Sequence, residues 1–250
     1  MDIFIPEIAF GNAVFETVYF ENKSPHNLEK HYKRLLRSSK VFNQQYTEPY
    51  NIFKCKVKSY LNSINEENGV LKIVFIKGEL HFKTRESGYS KEGFEKGLNL
   101  SISKVKRDPS NIFTYFKTFN YGINVLEDKR AKSKGYDGSL FVNYENKLCE
   151  TSYANIFFRK DNVIYTPHLR CGILKGVMRE NIIKFARENG YTVNKGFFTL
   201  DDVKNMDEAF ISNTVLAVYP VNKIENIKFN SRDFLKRLID NSQFKRPWNI

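Results

Sequence analysis

Residues Ala13-Val14-Phe15-Glu16-Thr17-Val18-Tyr19-Phe20 alternate in character, and the stretch from about Asn27 to Phe42 repeats with a helical period. The first stretch reads as a strand. The second carries Leu28, Tyr32, Leu35, Leu36 and Phe42 at helical spacing and reads as an amphipathic helix. The turn signal Asn22-Lys23-Ser24-Pro25 separates them. A chain that changes period so soon is neither all-helical nor all-sheet. Farther on, the pattern predicts a helix over Tyr50–Ile64 and strands over Val70–Ile76 and Leu98–Lys104. Arg107-Asp108-Pro109-Ser110-Asn111 is polar, and its proline disfavours regular structure, so it is the expected domain boundary. Beyond it a helix is expected over Ile123–Lys134, with strands over Ser139–Tyr144, Ala154–Arg159, Val163–Thr166 and Glu208–Asn213. Gly176 opens another helix, with Met178, Ile182, Ile183 and Ala186 facing inward and Gly190 as its stop. The expected class is α+β, with an N-terminal domain over 1–108 and a C-terminal domain over 109–250.

The 250 residues suffice for a sizeable core, and 22 Phe with 14 Tyr predict one rich in aromatic rings. No apolar run reaches the length of a membrane span, and Met1–Phe10 has no basic n-region. Cys55, Cys149 and Cys171 are too few and too scattered for a disulfide framework or a zinc site, so no metal is expected. These points favour the cytoplasm. The net charge of +12 is spread through every segment and mixed with acids. That dispersal argues against nucleic acid as a partner and leaves a solvated basic surface, or a preference for an anionic small molecule.

Four places could carry chemistry. Gly176 at a helix start offers backbone N–H groups to an anion, although such glycines commonly serve only a tight turn. His31 and Arg34 share a helix face, and Arg34 could clamp a phosphate; from spacing alone, a solvated face with Lys30, Lys33 and Arg37 is the simpler reading. Lys117, in Thr114-Tyr115-Phe116-Lys117-Thr118-Phe119-Asn120-Tyr121, is a lysine among rings whose amine burial would free as a nucleophile. Glu150 precedes small and polar residues leading into a strand, a place where glutamates are usually exposed.

The order of these segments is more specific than any of them. Phe15-Glu16-Thr17, His31 to Arg34-Leu35, Lys117-Thr118-Phe119-Asn120, Glu150-Thr151 to Ala154-Asn155-Ile156-Phe157, Thr166-Pro167, Gly172-Ile173-Leu174-Lys175-Gly176-Val177-Met178-Arg179, and Asn213 to Pro220-Val221 follow at fitting intervals. The series resembles class IV (fold-type IV) pyridoxal-phosphate enzymes, which include branched-chain aminotransferases, D-amino acid aminotransferases and 4-amino-4-deoxychorismate lyases. The resemblance spans about residues 10 to 225. It implies a smaller N-terminal α/β domain and a larger C-terminal β-barrel-like α/β domain, with pyridoxal 5'-phosphate as cofactor and a homodimer. It implies that Lys117 forms the Schiff base and Glu150 pairs with the pyridine nitrogen. Arg34, Val177 and Met178 at the helix start, and Thr214 hold the phosphate, and Tyr121 reaches the ring hydroxyl.

Two departures stand out. The family's Gly-Asp-Gly before the first strand is here Gly11-Asn12-Ala13, and the stretch after Lys77-Gly78 lacks the usual glycine-rich pattern. In the family that stretch helps bind the substrate carboxylate, and Arg85 is the nearest candidate. Asn213–Val221 and Glu150–Asn155 look more like the lyase than the branched-chain enzyme. The expected activity is therefore 4-amino-4-deoxychorismate lyase, releasing pyruvate and p-aminobenzoate for folate biosynthesis. The alternative is an amino acid transaminase.

Overall fold

The computed structural model describes residues 6–249, which form two compact units. The first takes in residues up to Gly88 together with Phe116–Tyr121; the second takes in Tyr89–Tyr115 and the residues from Gly122 onward.

The first unit begins with a short helix, α1 (Pro6–Ala9), and is built on a four-stranded antiparallel sheet. Its strands are β1 (Val14–Glu21), β2 (Ser24–Pro25), β3 (Gly69–Ile76) and β4 (Glu79–Arg85), in the order β2-β1-β3-β4. Helices α2 (Leu28–Ser39) and α3 (Tyr50–Ser63) supply the other half of its main core. Val14, Val18 and Phe20 of β1 and Leu71, Ile73 and Phe75 of β3 pack with Leu35, Phe53, Val57 and Leu61. One side of each strand thus meets the apolar stripe of the helices, as the two periods predict. The opposite side of the sheet bears a smaller cluster of Ala13, Val74 and Ile76 with Phe15 and Phe119 against it.

The second unit holds a nine-stranded mixed sheet. Its strands are β5 (Leu98–Ile102), β6 (Gly138–Val142), β7 (Leu148–Thr151), β8 (Asn155–Lys160), β9 (Val163–Pro167), β10 (Thr192–Gly196), β11 (Glu208–Asn213), β12 (Ala217–Ile224) and β13 (Ile227–Lys228). Their order is β10-β9-β8-β11-β12-β5-β6-β7, with β13 beside β12. Helices α4 (Lys91–Lys96), α5 (Gly122–Lys132), α6 (Val177–Glu188) and α7 (Asp233–Asp240) complete it. Met178, Ile182, Ile183 and Ala186 of α6 and Phe234, Leu235 and Leu238 of α7 pack on Phe157, Phe210 and Val218.

The boundary differs from the expected division after residue 108. Pro109 does end regular structure, but β5 pairs in parallel with β12 and β6, and Arg107 bridges to Asn143. Everything from Tyr89 to Tyr115 therefore belongs to the second sheet's unit. The lysine segment moves the other way. Lys117 O accepts the Phe15 amide at 2.9 Å, the Phe119 amide donates to Ala13 O at 2.9 Å, and Thr118 bridges Val14. Backbone pairing makes Phe116–Tyr121 part of the first unit, not of a C-terminal domain. Cys55, Cys149 and Cys171 are all free thiols. Among the described residues no helix is long and apolar enough to cross a membrane, and no cluster of His, Cys, Asp and Glu could hold a metal.

Candidate active site

In the first unit the site begins with a charge in the wrong place. Glu16 follows Val14 and precedes Val18 on the core-facing side of β1, and it is fully buried. A buried carboxylate is costly unless it is paired and hydrogen-bonded. Helix α2 supplies the pairing. Arg34 Nε donates to Glu16 Oε1 at 2.8 Å and Arg34 Nη2 to Oε2 at 2.6 Å, a side-on bidentate pair. His31 Nδ1 lies 2.6 Å from the same Oε2. Burial pushes the Glu16 carboxyl up, but the Arg34 charge and the hydrogen bonds from Arg34 and His31 outweigh it and bring it down to about 2. Because an ionised carboxylate only accepts, Nδ1 of His31 carries the proton of this bond. Burial pushes His31 below its ordinary value; Glu16 opposes that, and the charges of Arg34 and Lys117 add to it. The solvated-face reading of this helix is thereby overturned, since His31 is fully buried and Arg34 is 8 % exposed.

Lys117 hangs from the backbone ladder at the edge of β1. Its Nζ lies 4.4 Å from the centre of the Phe15 ring and 5.8 Å from that of Tyr121, and the two rings meet edge to face. Asn120 Nδ2 donates to Gly11 O at 3.1 Å. Gly11 has φ +70, and a Cβ there would meet Asn120 Oδ1 at 2.9 Å, so only glycine lets the segment close on the start of β1. Arg85, at the end of β4, is exposed, and its Nη1 donates to the backbone of Glu86 at 2.6 Å.

In the second unit Glu150 is buried on β7, contrary to the exposure usual for such a glutamate. Oε2 accepts from Asn155 Nδ2 at 2.8 Å, and Oε1 accepts the Leu174 amide at 3.2 Å. Arg107 Nη1 stands 3.3 Å from Oε1, and the Arg107 guanidinium lies over Phe141 at 4.5 Å. Asn155 also donates to Leu174 O at 3.0 Å, which ties the carboxylate to the loop that enters α6. Gly176 caps α6 without a side-chain hydrogen bond. A Cβ on Gly176 would fall 2.1 Å from Asn155 Oδ1, so close approach explains this glycine better than turn geometry does. Val177 and Met178 are buried in the first turn, whose amides are a natural anion site.

Thr214 lies between β11 and β12. Asn213 Oδ1 accepts the amides of Val215 and Leu216, both at 2.9 Å, and Arg246 Nη2 donates to Thr214 O at 3.1 Å. Ser212 Oγ is buried with no hydrogen-bond partner among the described residues, and Ala217 holds a left-handed φ of 56. A helix start with no side-chain cap and an orphaned hydroxyl before Thr214 suit a phosphate; a bound carboxylate suits a pyridinium, and an amine among rings suits an aldehyde. The residues fit pyridoxal phosphate.

The structure thus brings Arg34 into one cluster with Glu16 and His31, with the Lys117 charge felt at His31. It ties Glu150 to the entry of α6. Sequence reasoning gave Glu16, Arg107 and Asn155 no role. Glu16 was detectable as a charge at a core position of the alternation. Arg107 had no local signal, because Glu150 is far along the chain; Asn155 lies close to Glu150 in sequence, but its second partner, Leu174, is distant.

Comparison with known proteins agrees. The chain is 27% identical over 92% of its length to a Thermotoga maritima protein described as a probable branched-chain-amino-acid aminotransferase, spanning 83% of it. It is 26% identical over 89% of its length to the aminodeoxychorismate lyase of Bacillus subtilis, spanning 81% of that protein. The fold matches a branched-chain amino acid aminotransferase from T.th., solved with pyridoxamine 5'-phosphate, at a TM-score of 0.87 and 23% identity, covering 100% of this chain and 91% of that one. This is the fold of the fold-type IV enzymes, which depend on pyridoxal phosphate. With residues 13–224 matching the family's model, the chain belongs to the amino-transferase class IV family.

Proposed function

We propose that this class IV enzyme is a 4-amino-4-deoxychorismate lyase that binds pyridoxal 5'-phosphate through Lys117. The observation that carries the cofactor reading is the placement of the Lys117 amine between Phe15 and Tyr121 on a segment fixed by backbone pairing. Bound there, the cofactor supplies an electron sink for the bond-breaking step. The chain's residues do the rest. Lys117 Nζ would hold the cofactor, and as a free amine the same nitrogen would take and return the substrate's proton. Glu150, its carboxylate paired with Arg107, would hold the pyridinium proton. Arg34, the amides of Val177 and Met178, and Thr214 would hold the phosphate, and Tyr121 would serve the ring hydroxyl. Fixing the phosphate would let Lys117 act on a positioned reaction centre.

The lyase is preferred because Glu150–Asn155 and Asn213–Val221 look more like that branch of the family. Relatives at 26% and 27% identity bear both names, so overall identity does not choose. The second reading, an amino acid transaminase, is favoured by the Thermotoga relative. The purified protein should be yellow and bleach with borohydride, and Lys117→Ala should be colourless; a wild type that never takes up the cofactor sinks the reading. Release of pyruvate and p-aminobenzoate from aminodeoxychorismate, assayed beside transamination of L- and D-amino acids, decides the activity. Transamination without elimination rejects the lyase.

A homodimer belongs to this proposal. Ile112, Ile123, Val125 and Leu126 of the second unit are exposed, and such residues suit burial against a second copy. Light scattering at a monomer's mass would refute it.

A further inference from the structure

The family's model stops at Ile224, yet the chain beyond it returns to the turn that carries Thr214. Strands β11 and β12 pair with Asn213 opposite Ala217, and Thr214-Val215-Leu216 connect them. All three are buried, which is unusual for a connection. A buried turn must find partners for its backbone. The amides of Val215 and Leu216 donate to Asn213 Oδ1, both at 2.9 Å. The carbonyls of the same two peptide groups face Arg246: Nη2 donates to Thr214 O at 3.1 Å and Nε to Val215 O at 3.2 Å. Trp248 Nε1 donates to the next carbonyl, that of Leu216, at 3.4 Å. Ala217 follows with φ 56, a conformation that its Cβ disfavours and that the surrounding bonds must hold.

The segment that reaches this turn is itself firmly set. Arg246 is 1 % exposed, and its amide donates to Asn249 Oδ1 at 2.7 Å. The Trp248 ring lies 5.7 Å from that of Tyr89. Phe244 is buried in the core and meets Phe185 of α6 edge to face at 5.5 Å. One segment thus leans on α6, whose first turn offers its amides to an anion, and grips the turn that bears Thr214. A buried guanidinium is costly, and an apolar side chain would fill the space with less penalty. What an apolar side chain lacks is the rigid fork that spans two neighbouring carbonyls.

We propose that Arg246 is a positioning residue for the cofactor's phosphate. It acts through the backbone: by holding the carbonyls of Thr214 and Val215 it keeps the turn in the shape that presents Thr214, and the orphaned Ser212 hydroxyl before it, to the anion. Trp248 assists at the following carbonyl. The inference rests on the reading of Thr214 and the start of α6 as the phosphate end of the site.

The test compares the dissociation constants of pyridoxal 5'-phosphate and of pyridoxal, which lacks the phosphate, measured by absorbance on the full chain. The readout is the preference for the phosphorylated form. Arg246→Met should lower that preference about ten- to hundredfold, the scale of a lost charge-assisted contact. Arg246→Lys keeps the charge without the fork and should lower it by about three- to tenfold, and Trp248→Phe, which deletes one donor, by about two- to fivefold. An unchanged preference overturns the proposal. So does an equal weakening of both ligands, which would make Arg246 a support of the fold alone. Should Arg246→Met fail to fold, a wild-type preference in Arg246→Lys and Trp248→Phe overturns it just as well. A wild type that binds both ligands alike would refute the phosphate reading instead, so the two failures are distinct.

Discussion

Glu16 and Glu150 are both buried carboxylates beside an arginine, one in each unit, and they are held in opposite styles. Arg34 grips Glu16 with two short hydrogen bonds, and His31 adds a third. Arg107 offers Glu150 one contact at 3.3 Å, while its own Nε and Nη2 are buried with no hydrogen-bond partner among the described residues. The first arrangement fixes a helix to a strand inside an apolar core. The second holds its carboxylate through Asn155 Nδ2 and the Leu174 amide, with the arginine as a longer, single contact. An arginine beside a glutamate is therefore no sign of a single geometry: Arg34 gives Glu16 two short bonds, whereas Arg107 gives Glu150 one longer contact.

The largest effect should come from breaking the tighter pair. Glu16→Gln or Arg34→Met alone should cost about 3–5 kcal/mol in urea unfolding, because each strands a buried group. Glu16→Met with Arg34→Met should cost far less than the singles combined. Singles as mild as a surface pair would erase the contrast. Next comes Glu150→Gln, which should lower kcat by about a hundredfold, the scale of one preorganised electrostatic contact. Its stability should change by only about 1 kcal/mol. Unfolding as severe as that of Glu16→Gln would make the two carboxylates equivalent.

A smaller effect is expected of Gly176→Ala. The added methyl must displace Asn155, and overpacking of that kind costs about 1–3 kcal/mol. Because Asn155 holds Glu150, cofactor affinity should fall alongside, as fluorescence titration would show. The mildest test is by pH. Unfolded His31 takes a proton near pH 6.5, whereas the folded residue resists until lower pH. The unfolded state binds more protons in that window, so stability is full above pH 6.5 and declines as the pH falls through the depressed value. Glu16 repeats the loss between 4.5 and about 2. His31→Gln should flatten the upper part of this decline by at most about 1.4 kcal/mol per pH unit. An unaltered slope would remove His31 from the cluster.

Elements with a clean period were legible in the sequence: β1, α2, β3 and α6 lie within a few residues of their expected positions. Strand β4 went unread because Glu-Leu-His-Phe-Lys-Thr-Arg mixes charge into both faces. Strand β7, Leu-Cys-Glu-Thr, is buried throughout and shows no alternation. Lys117, Glu150 and Arg34 came into view only through the order of motifs. What holds them did not, because Arg107 reaches Glu150, and Asn155 reaches Leu174, across spans that no local pattern records.

The first unit is written in two places along the chain, with its last piece at Phe116–Tyr121. During synthesis the start of β1 emerges long before the segment that hydrogen-bonds to it. A nascent chain therefore passes through a stage in which this unit is nearly whole but has an open strand edge, the feature most prone to pairing with a stranger. The piece that seals the edge also delivers Lys117. A chain cut short before it loses the proposed reactive amine and the seal in one stroke, so a truncated product would be both inactive and marked by an open edge.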